Sequence, residues 1–424
     1  MKFEELNLSP FILKSLTDMG YQEPSPIQEK AIIPALQGRD ILGCAQTGTG
    51  KTAAFALPII QNLLTPRKTP GQKRAIRALV LTPTRELALQ IHENVVQYAK
   101  YTSLKSCVVF GGISPIPQIE NLRRGIDILI ATPGRLYDLM GQGEIDLKFV
   151  ETFVLDEADR MLDMGFVHDV KKIIAYLPKK RQTLFFSATM PKEIKSLVAQ
   201  ILTKPVEIAV TPVASTVDVI EQTLYYVDKD KKRQLLVDLL QKNKFSSTLI
   251  FTRTKHTADR VAKYLVKSKI NAAAIHGDKS QGARQTALSN FKSGQIQALV
   301  ATDIAARGID IDELSCVINY NLPNIPETYV HRIGRTGRAG LGGIAISFSD
   351  IEEKPCVKDI EHLIDKSIPV ITEHAYPMEV FVVPPKEVRP PRPARQAQSG
   401  RQTQSGRQAQ SGRQAQSTAR SRSK

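Results

Sequence analysis

Short apolar runs alternate with helix-patterned segments along this chain, pause, and then begin again. Ile41–Cys44, Ala78–Leu81, Cys107–Phe110, Ile126–Ile130, Phe153–Leu155 and Thr183–Phe186 read as buried strands, with segments of helical periodicity such as Arg85–Lys100 between them. After a less regular stretch, Thr248–Phe251, Ala272–Ile275, Ala298–Ala301, Cys316–Tyr320 and Ile344–Phe348 form a second set. Strands that alternate with helices predict parallel sheets covered by helices, hence an α/β fold in two tandem domains, 1–210 and 220–375, joined by a linker at 211–219. Their shared cleft is the expected ligand site.

The remaining residues, 376–424, have another character. A Pro-rich stretch leads into a six-residue repeat, Arg395-Gln-Ala-Gln-Ser-Gly and its successors, with no aliphatic side chain larger than Ala. Such a segment cannot offset the entropy of ordering itself, so a disordered tail is expected. From Arg389 to Lys424 it carries nine basic residues and no acid, out of a net charge of +16 for the 424-residue chain. A polyanion partner, most simply nucleic acid, follows from that concentration of charge. No apolar run approaches the roughly 18 residues of a membrane helix, and Lys2, Glu4, Glu5, Lys14 and Asp18 interrupt the N-terminus where a signal peptide would be apolar. The four cysteines are far apart with no C-x-x-C spacing, which argues against structural zinc or disulfides and fits a reducing cytosol.

Chemistry enters at Ala45-Gln46-Thr47-Gly48-Thr49-Gly50-Lys51-Thr52, between a strand and an apolar helical run. Glycines there let backbone N–H groups turn around phosphate oxygens. Lys51 can reach the terminal phosphates, and the Thr52 hydroxyl can ligate Mg²⁺. The general pattern has Gly where this chain has Ala45, and the alternative is a Gly-rich turn with an incidental lysine, but strand, loop and helix in the required order favour the nucleotide reading. A second carboxylate site is expected at Asp156-Glu157-Ala158-Asp159, at the end of a hydrophobic strand. Asp156 would hold Mg²⁺ through water and Glu157 would activate or orient the attacking water. An acidic N-cap of the next helix accounts for the same residues.

These two motifs, with others in order, resemble the DEAD-box RNA helicases, whose P-loop also starts with Ala. Gly20 to Gln28 resembles the family's adenine-reading motif; Pro83 to Leu87, Gly111-Gly112 and Thr132 to Arg135 its RNA-contacting segments; Ser187 to Thr189 its coupling motif. Phe251 to Thr254, Gln281 to Arg284, Thr302 to Asp310 and His331 to Arg338 match its second-domain motifs. The resemblance covers about residues 1–370 and is greatest to the bacterial RhlE type; it leaves the repeat tail unexplained.

The resemblance implies two RecA-like domains, ATP and Mg²⁺ as ligands, and RNA-stimulated ATP hydrolysis. It makes Tyr21 the adenine stack, supported by Phe3, and Gln28 the two-pronged reader of the N6 and N7 edge, although without it Phe3 and Tyr21 are ordinary core aromatics. Gln46, Thr47, Gly48, Thr49, Gly50, Lys51 and Thr52 cradle the phosphates; Gly308 and Asp310 sit at the ribose. Arg335 and Arg338 become arginine fingers, His331 links the second domain to the acidic motif, and Ser187 and Thr189 couple hydrolysis to unwinding. Thr84, Arg85, Gly112, Thr132, Arg135, Thr252, Arg253, Arg284 and Thr302 are the implied RNA contacts. They are hydroxyls, guanidiniums and a glycine, suited to phosphate and sugar, so single strands and short duplexes would bind without regard to sequence. Pro133 and Gly134 open a helix that would bend the bound strand. A cytoplasmic monomer that meets ribosome-assembly or RNA-decay proteins completes the expectation. An ATP-gated RNA clamp with little unwinding uses the same residues. A DNA translocase suits the acidic and adenine-reading motifs less well, and a small-molecule kinase leaves the second domain without a purpose.

Overall fold

The computed structural model describes residues 1–45, 49–65, 74–209, 219–243, 245–306, 311, 314–337 and 343–382. Gln46, Thr47, Gly48, Gly308, Asp310 and Arg338, nearly all of the expected linker and the repeat tail therefore lie outside the described residues.

Two parallel sheets form one compact unit. The first comprises β1 (Ile41–Cys44), β2 (Ala78–Leu81), β3 (Ser106–Val109), β4 (Ile128–Ala131), β5 (Thr152–Leu155), β6 (Gln182–Ser187) and β7 (Val206–Ala209), in the order β3-β4-β2-β5-β6-β1-β7. The second comprises β8 (Ile220–Tyr226), β9 (Thr248–Thr252), β10 (Ala272–Ile275), β11 (Ala298–Thr302), β12 (Cys316–Asn319) and β13 (Gly343–Ser349), in the order β10-β11-β9-β12-β13-β8. Every residue of β2, β4 and β5 is buried, because helices cover both faces of a parallel sheet and no face is left for polar side chains. The α/β expectation holds, with strand ends shifted by one or two residues at β3 and β4.

Two strands carry no apolar run and escape the sequence pattern. β7 and β8 are the outermost strands of their sheets, and along β7 only Ile208 is buried while Glu207 and Ala209 are exposed. An outer strand has fewer covering neighbours and tolerates Glu221, Gln222 and Thr223, which hide β8 in the sequence.

Topology places the chemistry. β6 runs between β1 and β5, in register Cys44↔Ser187 and Leu155↔Phe185, so the ends of the P-loop strand and the acidic strand flank the end of the Ser187 strand. Thr84, Thr132, Thr254 and Ser280 lie just past strands and cap the helices Arg85–Tyr98, Pro133–Gly141, Lys255–Lys267 and Gln281–Lys292. The hydroxyls of Thr84, Thr254 and Ser280 each accept a free helical N–H, whereas that of Thr132 makes no such bond. All four cysteines are free, and no described helix is long and apolar enough to cross a membrane.

Candidate active site and nucleic-acid interface

Lys51 opens the helix Lys51–Leu63, and its N-cap Gly50 has φ +92°, a left-handed conformation that only glycine adopts without strain. Lys51 is 6% exposed and its Nζ donates to the Ala45 carbonyl at 3.0 Å, so the ammonium is folded back over the loop. Ser25 Oγ donates to the Thr49 carbonyl at 2.7 Å and Gln28 Nε2 to the Gly50 carbonyl at 3.1 Å. Gln28 Oε1 also accepts from the Ser25 N–H at 2.9 Å, so both ends of the amide expected to read adenine are engaged within the chain and tie that segment to the P-loop. Tyr21 is half-buried; Phe3 meets its ring edge-on at 5.8 Å between centroids, and its hydroxyl shares a 2.8 Å hydrogen bond with Tyr98. Thr52 is half-buried in the first turn of the same helix as Lys51.

The acidic motif is almost wholly buried. Burial pushes the Asp156 carboxyl up to about 6; nearby Lys51 pulls it down and Glu157 adds to the rise. Asp156 Oδ1 is buried with no partner among the described residues. Glu157 sits at φ +54° as N-cap of the helix Ala158–Asp163, with Oε2 2.7 Å from Arg160 Nη1. Burial alone would raise Glu157, but Arg160, Lys51 and Arg335 outweigh it and hold the carboxyl below its usual range. Asp159 is also held down: burial is outweighed by Arg160, His331 and Lys51, with a hydrogen bond from Thr189. Thr189 donates both its N–H and its hydroxyl to Asp159 Oδ2 at 2.9 Å, while Ser187 Oγ donates to the Thr189 carbonyl at 2.8 Å and accepts from the Asp159 N–H. Ser187 and Thr189 are therefore wired to the last acid of the motif.

Two of the charges acting on this motif come from the second lobe. Arg335, 4% exposed, follows the helix Pro326–Ile333, which carries His331. That helix is anchored by Arg332, which the sequence reading passed over. Its Nε and Nη2 bond to Asp303 at 2.6 and 2.8 Å, its Nη1 to Asn319 and the Asn321 carbonyl, and its guanidinium lies over the Phe251 ring. Arg160 was missed too; its sole sequence signal was its place directly after the acidic quartet.

A groove of about 440 Å³ runs between the lobes, lined by Thr84, Arg85, Thr132 and Arg135 from the first and by Arg284 and Ile304 from the second. Gly112, φ +82°, lies directly against the Arg85 guanidinium, where any side chain would collide with it. Arg135 Nη2 donates to the Ile113 carbonyl at 3.0 Å. Thr252, Arg253 and Thr302 are not among the groove-lining residues. Thr252 is completely buried and donates its hydroxyl to chain carbonyls, so its side chain is turned inward from the expected RNA contact. Arg253 is exposed but leans on Glu353 at 3.2 Å, and Thr302 is half-buried at the end of β11. Glu86 had no expected role, yet it bridges the lobes: its Oε1 is 2.9 Å from Arg284 Nη2 and accepts from Gln281 Nε2 at 3.1 Å.

The donor set suits a magnesium ion that keeps most of its water. Among the described residues no cluster of three His, Cys, Asp or Glu could cage a metal, whereas Asp156 offers a buried, unpartnered oxygen and Thr52 a hydroxyl beside the P-loop.

Residues 25–197 match the DEAD/DEAH box helicase family and residues 231–340 the helicase conserved C-terminal domain. The DEAD-box ATP-dependent RNA helicase RhpA of Helicobacter pylori is 44% identical over 377 residues, 88% of this chain and 75% of its own. Saccharomyces cerevisiae Dbp5 bound to RNA and ADP BeF3 has a TM-score of 0.76 at 32% identity, covering 87% of this chain and 95% of that one. A Dbp5 variant bound to Nup159, Gle1, IP6 and ADP has a TM-score of 0.59 at 31% identity, covering 86% and 95%.

Proposed function

The chain belongs to the DEAD/DEAH-box helicases, and on that premise we propose that it is an ATP-dependent RNA helicase whose two RecA-like lobes close on ATP and RNA together. The observation that carries this reading is that His331 and Arg335, from the second lobe, line one small pocket with Arg160 of the first, the ion-pair partner of Glu157. Hydrolysis then depends on closure, because the charge that stabilises the transferring phosphoryl group reaches it only when the lobes meet.

In this mechanism Tyr21, supported by Phe3, stacks on adenine, and Gln28 exchanges its chain partners for the N6 and N7 edge. Lys51 swings from the Ala45 carbonyl to the terminal phosphates, with Gln46, Thr47, Gly48, Thr49 and Gly50 around them, and Gly308 and Asp310 meet the ribose. Mg²⁺, held by Thr52 and through water by Asp156, would neutralise phosphate charge. Glu157, kept ionised by Arg160 and Arg335, orients the attacking water and accepts its proton. Arginine fingers, here Arg335 and Arg338, supply about 10³–10⁵ in rate, roughly 4–7 kcal/mol. His331 and the Ser187–Thr189 loop converge on Asp159 and relay the state of the nucleotide to the lobe contact.

RNA lies along the interlobe groove on Thr84, Arg85, Gly112, Thr132, Arg135 and Arg284, with Arg253 and Thr302 further along the second lobe. These groups hold phosphate and sugar and leave the bases unread. The helix opened by Pro133 and Gly134 bends the strand, and a bent strand cannot stay in an A-form duplex. We also infer a cytoplasmic monomer of the RhlE type acting with ribosome-assembly or RNA-decay proteins. ATPase measured with and without RNA tests the core of the proposal: hydrolysis is expected to rise with RNA, and indifference to RNA would refute coupled closure. Failure to displace the strand of a short duplex, with RNA stimulation intact, would leave an ATP-gated clamp.

A further inference from the structure

The second lobe carries a cavity of about 420 Å³ that no step above uses, whose lining includes Lys229, Arg233, Thr257, Arg260, Tyr320 and Asn321, together with the acid Asp230 and with Lys232. Lys232 is already neutralised, since its Nζ is 3.0 Å from Asp350 and 2.5 Å from Glu353. Glu353 also accepts from Arg253 and Asn321, which closes that buried network on itself. Lys229 leans on exposed Glu352 at 3.2 Å. Arg233 and Arg260 form no ion pair among the described residues; Arg233 lies over the Tyr264 ring at 5.3 Å, and Arg260 is exposed. Both guanidiniums act on the Tyr320 hydroxyl, so they converge on the same wall.

The order of strands fixes what this cavity adjoins. The sheet runs β10-β11-β9-β12, and the carboxyl ends of these strands lead in turn to Gly277, Ile304, Arg253 and Tyr320–Asn321. Gly277 and Ile304 line the interlobe groove. Neighbouring strands are about 4.8 Å apart, so the cavity begins roughly 10 Å beyond Ile304 on the same rim. Arg253 stands between, its N–H donating to Asn321 Oδ1 at 3.3 Å. A strand that leaves the groove along this rim meets two guanidiniums, the chemistry that holds phosphodiesters, while the Thr257 hydroxyl is already bonded to Thr254 and the Asn321 amide to Glu353 and the Arg253 N–H.

We propose that this cavity is an additional RNA subsite that holds one or two backbone phosphates of a strand continuing out of the interlobe groove. The inference rests on the helicase reading and extends its footprint. Small phosphate compounds share the chemistry, but continuity with the groove favours RNA.

The test compares the full chain with its R233Q/R260Q double variant, by fluorescence anisotropy in ADP BeF3, on hexauridylate and dodecauridylate. The expected result is about tenfold weaker binding of the dodecamer, a salt slope shallower by about 1.4 for two lost phosphate contacts, and hexamer affinity within about twofold of the parent. Equal dodecamer affinity would overturn the subsite, as would equal losses on both lengths. Inorganic pyrophosphate is the second probe: thermal stabilisation of the parent but not the variant, with dodecamer binding unchanged, would assign the cavity to small phosphates and overturn the RNA subsite. No hexamer binding by the parent would bring down the helicase reading itself.

Discussion

Glu86 and Arg284 lie in helices of different lobes and meet at 2.9 Å, each less than a tenth exposed. Glu86 follows the helix cap Thr84, and Arg284 lies in the first turn of the helix Gln281–Lys292 beside the same groove, so the bond joins the two walls that RNA would touch. In an open form both groups return to water, so the bridge contributes to closure and little to the fold of either lobe. Breaking a buried pair costs about 3–5 kcal/mol; since opening relieves that cost, the loss should fall on coupling. Glu86→Gln is expected to raise the RNA concentration for half-maximal ATPase stimulation by about tenfold or more while RNA-free turnover stays within twofold. RNA titration of ATPase checks this, and unchanged stimulation would remove the bridge from closure.

Asp156 and Glu157 are neighbours pushed apart in acidity. Burial raises the first to about 6, while cations hold the second below its usual range. The ionised Asp156 is the form that serves Mg²⁺, so the KM for MgATP should rise as pH falls through about 6, approaching tenfold per unit, with kcat less affected. In the ligand-free protein the sign is opposite for stability. The folded carboxyl titrates above its ordinary 3.8, so the folded state binds the extra proton, and stability present below about pH 4 is lost as pH rises through about 6. A shift of that size corresponds to roughly 3 kcal/mol at most. Asp156→Asn should therefore melt higher than the parent at pH 7 while losing MgATP-dependent turnover. A lower melting temperature would contradict the buried-charge account.

How much of this was legible depended on burial and on distance along the chain. β2, β4 and β5 are apolar at every position because both faces are covered, and the sequence announces them. Thr84 was legible only through the resemblance, as an RNA contact, and its hydroxyl also caps the helix Arg85–Tyr98 by accepting the Leu87 N–H. The outer strands β7 and β8 were invisible because Glu207 and Glu221 face water. Glu86 with Gln281 joins residues 195 apart, and Arg332 with Asp303 depends on how a helix docks; neither has a local pattern. Thr252 looked like a surface hydroxyl by motif, yet it is buried at the end of a central strand.

The loop after β6 gives a cleaner test of coupling. Thr189 gives two bonds to Asp159 Oδ2, and Ser187 closes the ring through the Thr189 carbonyl and the Asp159 N–H. Both hydroxyls are spent on this ring around Asp159, so the double variant Ser187→Ala with Thr189→Ala should keep RNA-stimulated hydrolysis within about fivefold and lose most strand separation. Parallel loss of both activities would place these residues in hydrolysis itself.

The basic repeat predicts an effect on RNA binding that is separable from the lobes. Nine positive charges and no acids between Arg389 and Lys424 should attract RNA without reading it, by release of condensed cations. A chain ending near Val388 should hold a long single strand more weakly at low salt, with a shallower dependence on salt, and the difference should shrink as salt screens the charges. Its kcat at saturating RNA should match the parent, because no tail residue belongs to the ATP site proposed above. Binding measured from about 50 to 200 mM salt checks this. An identical slope in the two chains would exclude the tail as an electrostatic RNA collector, and a fall in kcat would tie it to closure instead.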